Sequence, residues 1–155
     1  YAAVNAVFGG LKKFRADYSV IPWATFTDPE VARVGLNETE AKEKGITYEV
    51  SVYGIDDLDR AIADEAAHGV VKVLTVPGSD RIHGVTIAGE HAGDLIAEFV
   101  AAMRHGFGMN KILGTIHIYP TLVEANKYAA GVWKKAHAPQ GLLRQVERFH
   151  AWRRG

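Results

Sequence analysis

Apolar and polar residues recur along this chain with periods that change at recognisable stops, and those changes predict its elements. Across residues 2–14, Val4, Val7, Phe8 and Leu11 fall at helical spacing, while Gly9, Gly10, Lys12 and Lys13 weaken and close the pattern. A short or fraying helix is expected there. Residues 20–27 carry Ile21, Pro22, Trp23 and Phe26 in a β-rich run that Asp28 and Pro29 stop. The run Asn37-Glu38-Thr39-Glu40 ahead of Ala41 has the form of a capping box, with Asn37 accepting from backbone amides and Glu40 reaching back. It predicts a helix over 38–44 that Gly45 ends. Residues 37–39 also spell a glycosylation sequon, but a helix N-cap is the expected use.

In residues 47–53, Tyr48, Val50 and Val52 alternate with Glu49 and Ser51, the pattern of a half-buried strand. β-Branched runs at 70–76 and 82–88, separated by Pro77-Gly78-Ser79-Asp80, predict an antiparallel hairpin. From Ala92 onward, Leu95, Ile96, Phe99 and Met103 share one helical face until Gly106 and Gly108 stop it. Pro120 and Thr121 then open a helix with Leu122, Ala125, Ala129, Val132, Trp133 and Ala136 as its apolar stripe, ending before Pro139. A last amphipathic segment sets Leu142, Val146 and Phe149 against Arg144, Glu147 and Arg148. Strands gathered in the middle and helices at the ends predict an α+β architecture, an antiparallel β-sheet flanked by helices, rather than alternating βαβ units.

Composition narrows the chemistry. At 155 residues and 48% hydrophobic, the chain can bury one core with little left for a second. Eighteen basic against eighteen acidic side chains create no field that would draw in nucleic acid, and none is expected as a partner. No apolar run approaches the roughly 18 residues of a membrane span, and no secretory signal opens the chain, so a soluble, cytoplasmic protein is expected. Without cysteine there is no disulfide, thiolate nucleophile or redox dithiol, and any thiol chemistry must be borrowed. The chain opens on Tyr1, which reads as a piece of something longer. There is no Gly-x-Gly-x-x-Gly, Walker loop or Gly-x-Ser-x-Gly elbow. The seven histidines include no i,i+4 pair, and no metal site is expected. His91 and Asp94, one turn apart at the start of a helix, read as a solvated first turn.

The segment that stands out is Ile116-His117-Ile118-Tyr119-Pro120-Thr121-Leu122-Val123-Glu124. A strand-like approach runs into an aromatic-Pro step and a helix, a bend that lets Tyr119 and Glu124 converge. A phenol held by a carboxylate can donate a hydrogen bond or a proton to a ligand, although a reference pKa of about 10 makes it a poor shuttle near neutrality. Taken by itself, the segment reads as a proline-started helix carrying a buried tyrosine.

Three ordered stretches resemble the C-terminal dimerisation domain of the pyridine nucleotide-disulfide oxidoreductases, flavoenzymes that include glutathione reductase, dihydrolipoamide dehydrogenase and mercuric reductase. The first is Ile21-Pro22-Trp23-Ala24-Thr25-Phe26-Thr27-Asp28-Pro29-Glu30-Val31-Ala32-Arg33-Val34-Gly35-Leu36 with Glu40-Ala41. The second is Gly69-Val70-Val71-Lys72-Val73 with Ile82-His83-Gly84-Val85-Thr86-Ile87-Ala88-Gly89, and the third is residues 116–124. The resemblance implies that residues 1–19 are the tail of a preceding FAD domain, 20–136 the dimerisation domain, and 137–155 a C-terminal helical extension. It implies an obligate homodimer in which a His-Pro-Thr-x-x-Glu segment lies beside the partner's flavin and redox disulfide, the histidine exchanging protons and the glutamate orienting it.

This chain keeps Pro120, Thr121 and Glu124 but has Tyr119 where the family's histidine stands. His117 matches a position two residues earlier and is not given the catalytic role. The departure argues against glutathione- or lipoamide-type dithiol exchange and for a mercuric-reductase-like branch, although that enzyme's paired C-terminal cysteines are absent. By this resemblance Tyr119 and Glu124 are the catalytic candidates, with Glu124 as orienter. Tyr119 and Pro120 would face the cofactor, and a cis Tyr119–Pro120 bond is expected. FAD and NAD(P) would belong to the full-length enzyme and not bind this chain alone, which should not turn over by itself. The rival reading is a free-standing dimeric binding or scaffold module that kept the fold and lost the chemistry. From residue 134 onward, six basic residues against Glu147 give a net +5. That tail is expected to pack on its own domain as a solvated helix rather than on a membrane.

Overall fold

The computed structural model describes residues 1–10 and 13–155, with Gln140 and Leu142 described by backbone alone. Leu11, Lys12 and the side chain of Leu142, which belong to the apolar patterns of the first and last helices, lie outside the described residues. Five strands, β1 (Pro22–Thr25), β2 (Glu30–Gly35), β3 (Glu49–Gly54), β4 (Gly69–Thr75) and β5 (Ile82–Gly89), form one antiparallel sheet ordered β1-β2-β5-β4-β3. The predicted hairpin is β4–β5, paired from Gly69 opposite Gly89 to Thr75 opposite Ile82. Its turn is closed by Val76 N donating to Arg81 O at 2.9 Å. The sequence pattern does not separate β2 as a strand. Beyond Asp28 and Pro29 it folds back on β1, setting Trp23 opposite Arg33, whose guanidinium lies 4.4 Å from the indole centroid.

Seven helices accompany the sheet among the described residues: α1 (Ala2–Phe8), α2 (Glu38–Glu43), α3 (Asp59–Ala63), α4 (Ala92–Arg104), α5 (Met109–Gly114), α6 (Glu124–Ala136) and α7 (Gln140–Arg154). The inner sheet face presents Ala32, Val34, Val71, Val73, Val85 and Ile87, all buried. Leu95, Ile96 and Phe99 of α4 pack on it, together with Met109 and Ile112 of α5 and Ala125, Ala129 and Trp133 of α6. Burying a side chain such as Phe99 contributes about 1.5–3 kcal/mol, so the α4 stripe fixes that helix across β2 and β5. The alanines of α6 let its backbone approach β3 and β4 closely.

The predicted capping box is present at α2, with Glu40 N donating to Asn37 Oδ1 at 2.8 Å and Asn37 N to Glu40 Oε2 at 3.2 Å. That helix covers the opposite sheet face, held by Arg33–Glu40 at 2.5 Å and Lys72–Glu38 at 2.8 Å, with Ala41 and Leu74 buried beneath it. The chain enters it past Gly84, where any Cβ would collide with the Leu36 backbone oxygen. The observed architecture is therefore the expected α+β one, an antiparallel sheet with helices on both faces.

Local expectations fared unevenly. The first helix is short, as expected, stopping at Phe8 ahead of Gly9 and Gly10, and it contains no buried residue. In β3 the half-buried pattern is present, but Val50 and Val52 face outward while Ser51 is buried, because pairing with β4 puts Ser51 opposite buried Val73. α4 ends at Arg104, ahead of Gly106 and Gly108 as expected, and a separate helix not foreseen, α5, starts immediately after Gly108. The helix assigned to Pro120 and Thr121 begins only at Glu124, and Ala130 rather than Val132 completes its buried stripe. Residues 116–118, expected as a strand-like approach, are part of no strand. The Asp28–Pro29 and Tyr119–Pro120 peptide bonds are both cis, the second as expected.

Candidate functional site

In the loop between α5 and α6, residues 116–118 belong to no helix or strand, and their side chains alternate between exposed and buried. Ile116 and Ile118 point outward, 94% and 78% exposed. The His117 side chain points inward and is only 4% exposed. Tyr119 follows at the apex, 64% exposed, so the buried-tyrosine reading is overturned. Thr121 then folds the chain into a turn, its Oγ1 donating to Ile118 O at 2.5 Å.

The expected partnership of Tyr119 with Glu124 is not the one present. Tyr119 Oη donates to Asp59 Oδ2 at 2.7 Å, on the first turn of α3. Glu124 is buried and accepts from Thr121 N through Oε2 at 3.1 Å, closing the first turn of its own helix. A carboxylate three residues after a helix entry satisfies an orphan amide there, and that local geometry wins over reaching the phenol. The hydrogen bond to Asp59, and then the negative charge of that carboxylate, push the Tyr119 hydroxyl above the ordinary tyrosine range, with Glu124 adding a smaller effect through space. The phenol is therefore held neutral and can act as a hydrogen-bond donor or acceptor, not as a phenolate.

Tyr119 borders a cavity of about 260 Å³ lined also by Tyr53, Asp57, Asp59 and Tyr128. Burial, reinforced by a 2.7 Å hydrogen bond to Asp57, raises the Tyr53 hydroxyl as well. The Tyr53 and Tyr128 rings lie 5.4 Å apart. Sequence reasoning missed Asp59 and Tyr53 because the helix turn and strand that carry them are about 60 residues from the loop, and it missed Tyr128 because that side chain lies off the apolar stripe of α6. The acid-rich run Asp56-Asp57-Leu58-Asp59 was the one signal that could have drawn attention.

His91 and Asp94 are exposed and 3.7 Å apart at the start of α4, the solvated first turn that was expected. The α4 N-terminus is capped from β2, Gly93 N donating to Glu30 Oε2 at 3.0 Å. At Gly35, Gly84 and Gly108 the closest approaches come from the chain's own His83, Leu36 and Asp80, where a phosphate would have to lie. These three glycines therefore offer no phosphate cradle. Pro120, like Tyr119, is exposed.

Residues 21–130 match the family model described as the pyridine nucleotide-disulphide oxidoreductase, dimerisation domain. The chain is 39% identical over 135 residues to a mercuric reductase of Lysinibacillus sphaericus, covering 84% of this chain and 24% of that protein. It is 40% identical over 134 residues to a dihydrolipoyl dehydrogenase of Vibrio cholerae, covering 86% of this chain and 28% of that one. It thus spans about a quarter of the curated relatives it matches. Its fold resembles the HOCl-induced flavoprotein disulfide reductase RclA of Escherichia coli, with TM-score 0.76, 21% identity, and coverage of 84% of this chain and 30% of that one. LpdA of Mycobacterium tuberculosis is similar too, with TM-score 0.69, 23% identity, and coverage of 83% and 28%. With the sheet order, the α4 and α6 packing and the loop before α6 in place, the chain belongs to the dimerisation-domain family of the pyridine nucleotide-disulfide oxidoreductases.

Proposed function

We propose that this chain is the interface domain of a homodimeric, FAD-dependent, NAD(P)H-using reductase, and that it supplies subunit contacts and one wall of the partner's active site. In this reading residues 20–136 form the domain, residues 1–19 lead out of an FAD domain, and 137–155 extend beyond it. Hydride and electron transfer belong to the flavin, nicotinamide and dithiol of the other domains. A cytoplasmic setting suits a reductase fed by NAD(P)H.

The observation that carries the reading is the loop apex, where Ile116, Ile118 and the Asp59-held phenol of Tyr119 stand bare on one surface. Two exposed isoleucines beside a fixed hydroxyl suit an apolar contact with one oriented polar group, the composition of a site wall. Tyr119 would donate or accept a hydrogen bond at the partner's reacting group. Asp59 takes the orienting role first assigned to Glu124, and Glu124 with Pro120 shapes the bend. A mercuric-reductase-like acceptor fits a neutral phenol better than a dithiol that needs an imidazole base.

The test is Tyr119→Phe and Tyr119→His in the full-length enzyme. Phenylalanine should lower kcat/KM about tenfold, the worth of one hydrogen bond near 1.4 kcal/mol, and histidine should raise dithiol turnover. Unchanged rates and substrate range in both variants would remove Tyr119 from the site and favour the non-catalytic module.

A further inference from the structure

His117 lies two residues before Tyr119, and of residues 114–120 it is the one that is not exposed. Its Nδ1 is 3.0 Å from Thr115 O and its Nε2 is 2.9 Å from Glu98 Oε1 on α4. The other carboxylate oxygen, Glu98 Oε2, accepts from Asn126 Nδ2 at 3.0 Å, and the same amide donates to Leu95 O at 2.9 Å. Asn126 is fully buried on α6. The chain of contacts therefore crosses from the loop to α4 and on to α6.

Counting donors and acceptors decides what this chain of contacts contains. A carbonyl can only accept, so Nδ1 must carry a proton and donate it. Nε2 then faces a carboxyl oxygen, and one further proton must lie between them, on the imidazole or on the carboxyl. If it leaves, two lone pairs face each other at 2.9 Å on an imidazole only 4% exposed, beside a carboxylate that keeps 24% of its surface exposed, and the hydrogen bond between them is lost. The groups facing the imidazole are Glu98 from α4 and the Thr115 carbonyl. From α6 comes the neutral Asn126, and the next carboxylates along the loop, Glu124 and Asp59, are taken by Thr121 N and Tyr119.

We propose that His117 and Glu98 form a proton-holding latch that positions the Tyr119 loop against α4 and α6, making both of them positioning residues for the site wall. With the shared proton in place the loop is pinned from inside, and Ile116, Ile118 and Tyr119 are presented together. Without it the pin opens, and the apex loses its fixed placement while the sheet and its core are untouched.

The test uses Glu98→Gln and Glu98→Ala in the full-length protein. A glutamine can accept from Asn126 with its oxygen and donate its NH₂ to the Nε2 of a neutral imidazole, which rebuilds the latch with no shared proton. The first readout is hydrogen exchange of the amides of 116–119, corrected for intrinsic rates. In the unaltered protein, protection should fall at least tenfold as pH is raised. In Glu98→Gln it should stay level over the same range, and in Glu98→Ala it should be low throughout. The second readout is kcat, which should follow protection in all three proteins and fall about tenfold in Glu98→Ala with KM changed less. Equal pH dependence of protection in the unaltered protein and Glu98→Gln would overturn the latch, and so would Glu98→Gln behaving as Glu98→Ala does. Only the kinetic readout rests on the proposed site wall. A latch seen by exchange with no change in kcat would leave the latch standing and sink that reading instead.

Discussion

At the N-terminal end of α6, His117 sets one ring nitrogen on a carbonyl and the other on a carboxylate, and at the C-terminal end His137 does the same. His137 Nδ1 donates to Trp133 O at 2.8 Å, and its Nε2 lies 2.7 Å from Glu49 Oε2 at the start of β3. The surroundings differ: the His117 side chain is 4% exposed and the His137 side chain 27%. The His117 imidazole, unlike that of His137, has almost no surface with which to turn to water when its partner leaves, although Glu98 keeps 24% of its side chain exposed. The His137 imidazole can turn, although stacking on the Trp133 ring at 4.4 Å limits its freedom. One hydrogen-bond pattern thus positions a loop at one end of the helix and merely ties a helix terminus to a strand at the other. The first also falls within the matched 21–130 segment and the second outside it.

The largest effect that would sharpen this contrast is expected from His117→Leu. It leaves Glu98 in a partly buried place with its imidazole gone and should lower stability of the full-length protein by about 2–3 kcal/mol, read as a shift in the urea midpoint. A shift no larger than that of the corresponding change at His137 would break the distinction between the two ends.

How far this was legible in the sequence differs between the same two places. The sheet, the β4–β5 hairpin, the α2 cap and the α4 stripe follow from short-range signals, because period, turn chemistry and caps act within a few residues. In β3 the hydrophobic pattern pointed the wrong way, since pairing with β4 decided which side met the core and placed Ser51 inside. The loop before α6 was singled out correctly as a segment, but its partners were not. Asp59 reaches Tyr119 from 60 residues away and Glu98 reaches His117 from 19, and neither spacing corresponds to any local motif. Glu124 misled because its caps-like spacing from Thr121 serves the backbone rather than the phenol.

A smaller effect is expected at the other end. The hydrogen bond to the Trp133 carbonyl, with Glu49 adding to it against partial desolvation, raises His137 above the ordinary histidine range. A group whose folded value is raised stabilises fully below its unfolded value near 6.5 and loses that contribution as pH rises through the folded value. His137→Gln should therefore be less stable than the unaltered protein at pH 5.5, by at most about 1 kcal/mol for so accessible a pair. The gap should narrow on the alkaline side of neutrality, where the histidine has lost its charge. Thermal midpoints of both proteins from pH 5.5 to 9 check this, and a gap that widens with pH would show that the imidazole is held neutral.

The smallest effect belongs to α7. The tail was expected to pack on its own domain, yet Val146, Phe149 and Trp152 are all exposed, and the helix makes no extended contact with any other element among the described residues. Its arginines Arg144, Arg148, Arg153 and Arg154 outnumber its one acid, Glu147. A helix whose described side chains are all exposed contributes little to folding, because its own propensity barely offsets the entropy of ordering it. Removing residues 140–155 leaves His137 and its two partners in place, so the thermal midpoint should move by no more than a change of about 0.5 kcal/mol would move it. A loss as large as that of His137→Gln would mean that the full-length protein seats this helix against another of its surfaces, and the C-terminal end of α6 would then be as firmly held as the end that carries Tyr119.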